Sequence, residues 1–334
     1  MASNSFGELL RITTFGESHG PALGVVIDGV PAGMALTVEE FLPELARRRP
    51  GQSAMTSARR EADAPRILSG TFEGRTTGMP ITVVVDNVDA RPADYDALRD
   101  APRAGHADAT YTSKYGHRDH RGGGRSSGRE TVARVIGGVV ARKLLPPATR
   151  ILGHALQIGP HVARDFDPSF IESNPLRCAD RAVAPAMADY VARLQMQHDS
   201  TGGLVEVRIE APPKDLGDPV FAKLKAKLAE AFLSIGAVTG FSYGAGFRCA
   251  TLRGSEYVAN PANFGGMLGG ISSGEPIVLH ASIKPASTVG PAAQAGRHDP
   301  CIVPRVIPVL EAMAALVLAD RSLMLRAQRG GGAA

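Results

Sequence analysis

Three local patterns in the first half of the chain return, in the same order, in the second half, and this constrains the fold more than any other feature. Val26-Ile27-Asp28-Gly29-Val30-Pro31-Ala32-Gly33 leads to a helical pattern at Thr37, and residues 207–217 lead to one expected over 219–235. Thr77-Gly78-Met79-Pro80-Ile81 enters the strand-like 82–86, and Ser273-Gly274-Glu275-Pro276-Ile277 enters 278–283. A helix carrying Arg134-Val135-Ile136 is matched by a final helix carrying Arg305-Val306-Ile307. The pattern predicts one domain over residues 1–334 with an internal repeat of approximately 20–145 and 200–326. Each half combines β-branched strands with two helices, an α+β arrangement. Two such halves packed side by side leave a cleft between them where a site can form. The stretch from 146 to about 199, rich in Pro, Ala and Arg, is the junction, and no periodicity assigns elements to it.

Chemistry concentrates in residues 103–131, RAGHADATYTSKYGHRDHRGGGRSSGRET, where five arginines, a lysine and three histidines meet two aspartates and one glutamate. Val132, Val135, Ile136, Val139, Val140 and Leu144 recur at helical spacing beyond it. Ser127 and Glu130 have the spacing of a capping box, which predicts a helix start there. A glycine-rich loop running into a helix N-terminus points free N–H groups and partial positive charge outward. With Arg125 and Arg129 alongside, it suits a multiply charged anion. A nucleotide triphosphate is disfavoured, since no lysine follows the glycines as in a phosphate loop and no dinucleotide fingerprint follows a strand. His117 and His120 fit no zinc spacing and have no cysteine nearby, so no metal is expected.

Other candidates are spread along the chain. Gly16-Glu17-Ser18-His19-Gly20 places His19 on a turn before the strand-like 23–28, where a group titrating near neutrality can move a proton. Residues 37–48 read as a helix with Thr37 and Glu40 as capping box, bent at Pro43, ending in Arg47-Arg48-Arg49. Three arginines before a Pro-Gly turn fit anion recognition. The second half offers a glycine-serine loop at 265–274, then Lys284-Pro285-Ala286-Ser287-Thr288, and Gly296-Arg297-His298-Asp299-Pro300 before the last helix. A net charge of +4 is too mild for bulk nucleic-acid binding. No apolar run is long enough to cross a membrane and no basic-then-apolar leader follows Met1, so a cytoplasmic location is expected. Cys178, Cys249 and Cys301 are far apart in sequence, as reduced thiols would be.

Taken together, GESHG at 16–20, Arg-x-Gly-His-Ala-Asp at 103–108, GGGRSSGRET at 122–131, GGISSG at 269–274 and GRHDPC at 296–301 resemble the signature motifs of the chorismate synthase family, in the family's order and across nearly the whole chain. The resemblance implies a β-α-β sandwich with two pseudo-symmetric halves and a homotetramer. It also implies a lyase that converts 5-enolpyruvylshikimate 3-phosphate to chorismate and phosphate, at the end of the shikimate pathway of aromatic amino acid biosynthesis. This 1,4-anti elimination uses reduced FMN without net redox change. NADPH is a further candidate ligand in members that reduce their own flavin, although no extra segment for a reductase is visible.

By resemblance, His19 matches the histidine that protonates the departing phosphate, His106 the one that stabilises the reduced anionic flavin, and Asp299 an aspartate assisting C6 deprotonation, with flavin N5 as immediate base. Ser18, Arg48, Arg103, Arg129 and Arg297 match substrate-binding positions, where guanidinium forks suit a phosphate and two carboxylates. Arg125, Ser126, Ser127, Gly236, Ala237, Gly269, Lys284, Pro285, Ala286, Ser287, Thr288 and again Arg297 match flavin-contacting positions. The sequence departs from the family in Ala54 for a usual arginine, Ala104 for proline, Gly128 for alanine and Gly236 for asparagine, and its loops at 255–264 and 286–295 are shorter. These departures keep a second reading in view, a divergent paralogue that binds phosphorylated ligands with impaired turnover. An RNA- or polyphosphate-binding module is a third. The chain has no Trp, and only Tyr111 and Tyr115 lie near the arginines, so stacking platforms are poor.

Overall fold

Alternation of side chains decides which face of each sheet is covered, and both large sheets have one apolar face turned inward. The computed structural model describes residues 3–52, 63–88, 102–103, 105–290 and 299–330. The first sheet is built from β1 (Ser5–Phe6), β2 (Arg11–Phe15), β3 (Ala22–Asp28), β4 (Pro65–Ser69) and, after a small hairpin of β5 (Thr71–Phe72) and β6 (Arg75–Thr76), β7 (Ile81–Asp86). Its order is β1-β2-β3-β7-β4, antiparallel throughout. Leu23, Val25 and Ile27 of β3 and Ile81, Val83 and Val85 of β7 fill its inner face. Helices α1 (Leu42–Arg48), α2 (Asp108–Tyr115) and α3 (Thr131–Arg142) belong to the same half.

The second sheet takes β8 (Arg150–Ile158), β9 (His161–Val162), β10 (Gly203–Glu210), β11 (Val238–Tyr243) and β14 (Ile277–Ile283), in the order β11-β14-β10-β8-β9. Between them lie α4 (Ala184–Met196), α5 (Leu224–Leu233), α6 (Gly254–Ala259) and the hairpin of β12 (Met267–Leu268) and β13 (Ile271–Ser272), and α7 (Val303–Gln328) closes the chain. Val205, Val207, Ile209, Leu279 and Ala281 face inward. Helix α3 packs on β2 and β3, α7 packs on β8 and β10, and α3 and α7 pack on each other. The fold is therefore α+β, with helices sandwiched between two antiparallel sheets. The junction holds more than a connection, since β8 supplies the strand beside β10.

The helical layer is close-packed at one crossing. A Cβ on Gly138 of α3 would lie 2.3 Å from the Cβ of Ala312 on α7, so glycine lets the two backbones approach. Buried Glu311 of α7 ties four elements together. It accepts from Arg47 of α1 at 2.6 and 3.0 Å, from Arg142 of α3 at 3.0 Å and from the Gly153 N–H of β8 at 2.7 Å. Pro308, inside α7, cannot donate to the Pro304 carbonyl four residues earlier. That carbonyl instead accepts from the buried Arg177 guanidinium at 2.5 Å.

Two helix starts differ from the sequence expectation. Residues 38–41 form a 3₁₀ turn, and Pro43 stands in the first turn of α1, where its missing N–H has no helical partner to lose. It starts this helix and does not bend it. Thr37 makes no cap bond, and Glu40 pairs with Lys143. Likewise, Ser127 caps a 3₁₀ turn over Gly128–Glu130, accepting from the Arg129 N–H at 3.3 Å, and α3 begins at Thr131. The reciprocal half of the capping box is missing because the Glu130 carboxylate is taken by Arg134, with both oxygens at 3.0 Å.

Candidate functional site

A cleft of about 820 Å³ opens between the halves, of a size that takes small ligands. Its apolar lining is Ile12, Ile235, Ile302, Val306, Val309 and Met313, and its charged lining is Arg48, Arg103, Arg125, Arg129, Arg134, Lys284 and Arg305 with Glu130, Glu230 and Asp299. Seven cations against three acids leave the cleft with an excess of positive charge, which a low-dielectric surround focuses.

Arg48 arrives from the last turn of α1 and Arg129 from the 3₁₀ turn before α3. Both are buried, and both donate to Asp63: Arg48 Nη1 to Oδ2 at 3.2 Å, and Arg129 Nη1 to Oδ1. Asp63 takes a left-handed backbone conformation, φ 46°, to reach them. Arg129 Nε also donates to Asn87 Oδ1 at 3.0 Å, and Asn87 Nδ2 donates to the Glu17 and Gly20 carbonyls at 3.0 and 2.9 Å. The turn at residues 16–20 is thereby tied to the Arg48–Asp63–Arg129 cluster. Of the arginine run at 47–49, only Arg48 lines the cleft. Arg47 is taken by Glu44, Glu172 and Glu311, and Arg49 is exposed.

The triple glycine is shaped by what lies behind it. Gly122, Gly123 and Gly124 all have positive φ. A Cβ on Gly122 would sit 2.1 Å from His19 Cδ2 and 2.9 Å from Ser18 Oγ, and one on Gly123 would sit 2.6 Å from His106 Cε1. Ser18 and His19 are buried directly behind Gly122, which lines the cleft, whereas His106 lines it itself. Residues 16–20 spell G-x-S-x-G, but the turn joins strand β2 to strand β3, and a hydrolase nucleophile elbow needs a helix after the serine. Arg125 anchors the loop to the first sheet, donating to the Gly16 carbonyl at 3.1 Å and to Thr14 Oγ1 at 2.5 Å. Ser126 Oγ turns back onto the Gly123 carbonyl at 2.7 Å.

His106 sits in a small network. Its Nδ1 is 2.8 Å from Asp108 Oδ1 and 3.1 Å from Arg103 Nη2, and Arg103 grips Asp108 through Nε at 2.9 Å and Nη2 at 3.0 Å. Burial and the neighbouring Arg103 charge hold the His106 pKa below the ordinary imidazole value, against the opposing pull of Asp108. Burial alone would raise the Asp108 carboxyl, but its hydrogen bonds to Arg103 outweigh this and keep it well below the usual carboxylate range. The second half meets this segment at the Gly105 carbonyl, which accepts from Lys284 Nζ at 3.3 Å and Ser287 Oγ at 3.2 Å. Gly236, Ala237, Ala286 and Thr288 also line the cleft. Asp299 lines it too and is paired with Arg305, whose Nε donates to the Arg48 carbonyl at 3.2 Å.

Some candidate positions fall elsewhere. Gly269 lies in the exposed turn between β12 and β13 with φ 60°, and neither it nor Pro285 lines the cleft. Arg297, Ala54 and Ala104 lie outside the described residues. Sequence reasoning missed Asp63, Asn87 and Arg305. Asp63 had no signal, since nothing in the Arg-Arg-Glu-Ala-Asp run at 59–63 marks which of its charges turns inward. Arg305 had one, a cation in the first turn of the last helix shortly after Asp299.

A family model described as chorismate synthase matches residues 10–323. The chain belongs to the chorismate synthase family. A chorismate synthase of Methanosarcina mazei is 48% identical, covering 97% of each chain, and one of Chloroflexus aggregans is 49% identical, covering 98% of each. A solved structure titled "Crystal Structure of Chorismate Synthase" superposes with a TM-score of 0.79 at 29% identity, covering 96% of this chain and 93% of that one. Membership makes this chain a carbon–oxygen lyase acting on a phosphate ester. No helix among the described residues is long and apolar enough to cross a membrane.

Proposed function

We propose that the cleft catalyses the 1,4-anti elimination of phosphate from 5-enolpyruvylshikimate 3-phosphate, the last common step toward the aromatic amino acids, with FMN as its cofactor. One observation carries the reading: two buried arginines sharing one carboxylate, a half-buried imidazole and a lysine from the opposite half all meet at one cleft that also has apolar lining. A flat, largely apolar ring with a phosphate tail fits such a lining, and so does a second, trianionic ring beside it. When bound and reduced, the flavin supplies the electron-rich ring that makes loss of phosphate possible without net oxidation.

In this reading the C6–H and C3–O bonds break, a double bond forms, and phosphate leaves with the proton it needs. Arg48 and Arg129 hold the anionic groups, and Asp63 keeps the two guanidiniums together at a net charge of one. His19, behind Gly122, supplies the proton to the departing phosphate. His106 is neutral at neutral pH and can take and return a proton beside the cofactor. Asp299, paired with Arg305, assists removal of the C6 proton. Arg103 completes the substrate contacts, with Ser18 behind Gly122 supporting the glycine loop beside them; Arg125, Ser126, Ser127, Gly236, Ala237, Lys284, Ser287 and Thr288 hold the flavin. We further propose a cytoplasmic homotetramer, with NADPH as the source of electrons that reduce the flavin. Identity near 48% over whole chains gives no footing to a divergent paralogue with impaired turnover. The test is anaerobic turnover with chemically reduced FMN, following chorismate absorbance and phosphate release. Equal amounts of the two products are expected; binding of the ester without either product would refute the reading.

A further inference from the structure

His106 Nδ1 faces two groups that ask opposite things of it. A guanidinium only donates, so Arg103 Nη2 at 3.1 Å would favour an unprotonated Nδ1. An ionised carboxylate only accepts, so Asp108 Oδ1 at 2.8 Å would favour Nδ1–H. Geometry settles the contest. The Asp108 contact is the shorter, and Arg103 Nη2 already has an acceptor in that same oxygen at 3.0 Å. The Asp108 side chain is only 2% exposed and stands in the first turn of α2, where the helix dipole favours its negative charge. Its other oxygen accepts from Arg103 Nε at 2.9 Å and from the Arg103 backbone N–H at 3.1 Å, so the carboxylate cannot turn away. The remaining edge of the imidazole abuts Gly123, where a Cβ would lie 3.0 Å from Nε2.

We propose that Asp108 is a positioning residue that fixes His106, which lines the cleft, as its Nδ1–H tautomer, so that Nε2 is left as the nitrogen that can accept a proton. The proposal deepens the reading above and rests on it. Neutral His106 then accepts a proton at Nε2 and holds it as an imidazolium beside a negatively charged ring, stabilised from behind by Asp108. No electrons move in this step: a proton leaves a solvent hydronium ion, bonds to the Nε2 lone pair, and the Nδ1–H bond stays intact. The charged groups acting on the ring are Arg103, Asp108 and Lys284, which directly follows β14; Arg118 Nη1 lies behind, 3.9 Å from Asp108 Oδ1. Arg103 and Lys284 disfavour imidazolium, and Asp108 is the one group among the three that favours it.

The test uses the full chain with FMN. In Asp108→Asn the amide oxygen must serve Arg103, which leaves the amide N–H₂ facing Nδ1 and forces the proton onto Nε2. Expected are a loss of kcat on the order of 100-fold or more, an unchanged KM for the phosphate ester, and a shift of the imidazole limb of the kcat–pH profile to lower pH. Asp108→Glu should recover at least part of the loss. Nitrogen-15 spectra of histidine-labelled protein, with His106→Gln to assign the signal, should show Nδ1–H in the wild type and Nε2–H in Asp108→Asn. A wild-type His106 carrying its proton on Nε2 would overturn the proposal even if both Asp108 variants failed to fold. So would an Asp108→Asn variant with wild-type kcat and pH profile. If wild-type protein made no chorismate while still showing Nδ1–H, the functional reading would fail and the tautomer assignment would stand.

Discussion

Asp63→Asn tests the proposed anion site most sharply, because the substitution keeps shape and removes one charge. The side chains of Arg48 and Arg129 are each 2% exposed and that of Asp63 is fully buried, so solvent cannot screen the change. Breaking a buried ion pair from one side costs about 3–5 kcal/mol. The asparagine oxygen can still accept from one guanidinium, so the lower end, about 3 kcal/mol, applies. For a chain of this size that is a fall in Tm of roughly 5 °C. The same change leaves the two guanidiniums with one more net positive charge between them. An added anion within about 4 Å then gains on the order of 4 kcal/mol per unit charge at an effective dielectric near 20. Inorganic phosphate should therefore restore the variant while barely moving the wild type, by about 2.7 kcal/mol at a hundredfold excess over its Kd. Thermal denaturation with and without phosphate reads both effects. Equal phosphate stabilisation of the two proteins, or a variant melting with the wild type, would refute the idea that Asp63 stands where an anion binds.

Other substitutions probe the scaffold around the site. Gly122→Ala places a methyl 2.1 Å from His19 Cδ2 at φ 64°, so kcat should fall by on the order of 100-fold, whereas Gly128→Ala, which meets nothing within 4 Å, should leave it unchanged. Gly138→Ala pushes α3 against Ala312 and should lower stability by about 1–3 kcal/mol in denaturant unfolding; a neutral result would mean the helices can part without loss. Glu206 is buried on the second sheet among His154, His280 and Arg208 at 3.1, 3.0 and 2.5 Å. Burial raises its carboxyl pKa, but hydrogen bonds from these three groups outweigh that and lower it below its ordinary 4.5. A depressed folded pKa gives stability that is present above pH 4.5 and is lost as pH falls toward the folded value. Wild-type Tm should thus drop more steeply than that of Glu206→Gln below pH 4.5, and parallel curves would contradict the assignment.

How far the sequence could be read depends on whether a feature is local. Strand β14 shows its inner face as plain alternation, and β3 and β7 show theirs as β-branched runs, so all three were visible. Strand β8 was not, because Gly153 and His154 interrupt its apolar pattern and its partner β10 lies some fifty residues on. Once β8 is counted, the order β9-β8-β10-β14-β11 parallels β1-β2-β3-β7-β4, and we propose that the second repeat begins near residue 150 and not near 200. Motif residues such as His106 and Arg129 could be picked out by their company in the chain. Their bridging partners could not, since Asp63 acts on Arg129 across 66 positions. Nor does the run at 47–49 reveal that one arginine serves Glu311 and the next the cleft.

The account's central claim is that flavin and phosphate ester share one hollow between the halves. The most direct measurement is an FMN titration of the whole protein, followed by flavin fluorescence, with and without 5-enolpyruvylshikimate 3-phosphate. A shared hollow predicts that the ester lowers the FMN Kd by tenfold or more, about 1.4 kcal/mol of coupling, and that Arg48→Ala abolishes this tightening while leaving FMN binding alone intact. An FMN Kd indifferent to the ester would contradict it.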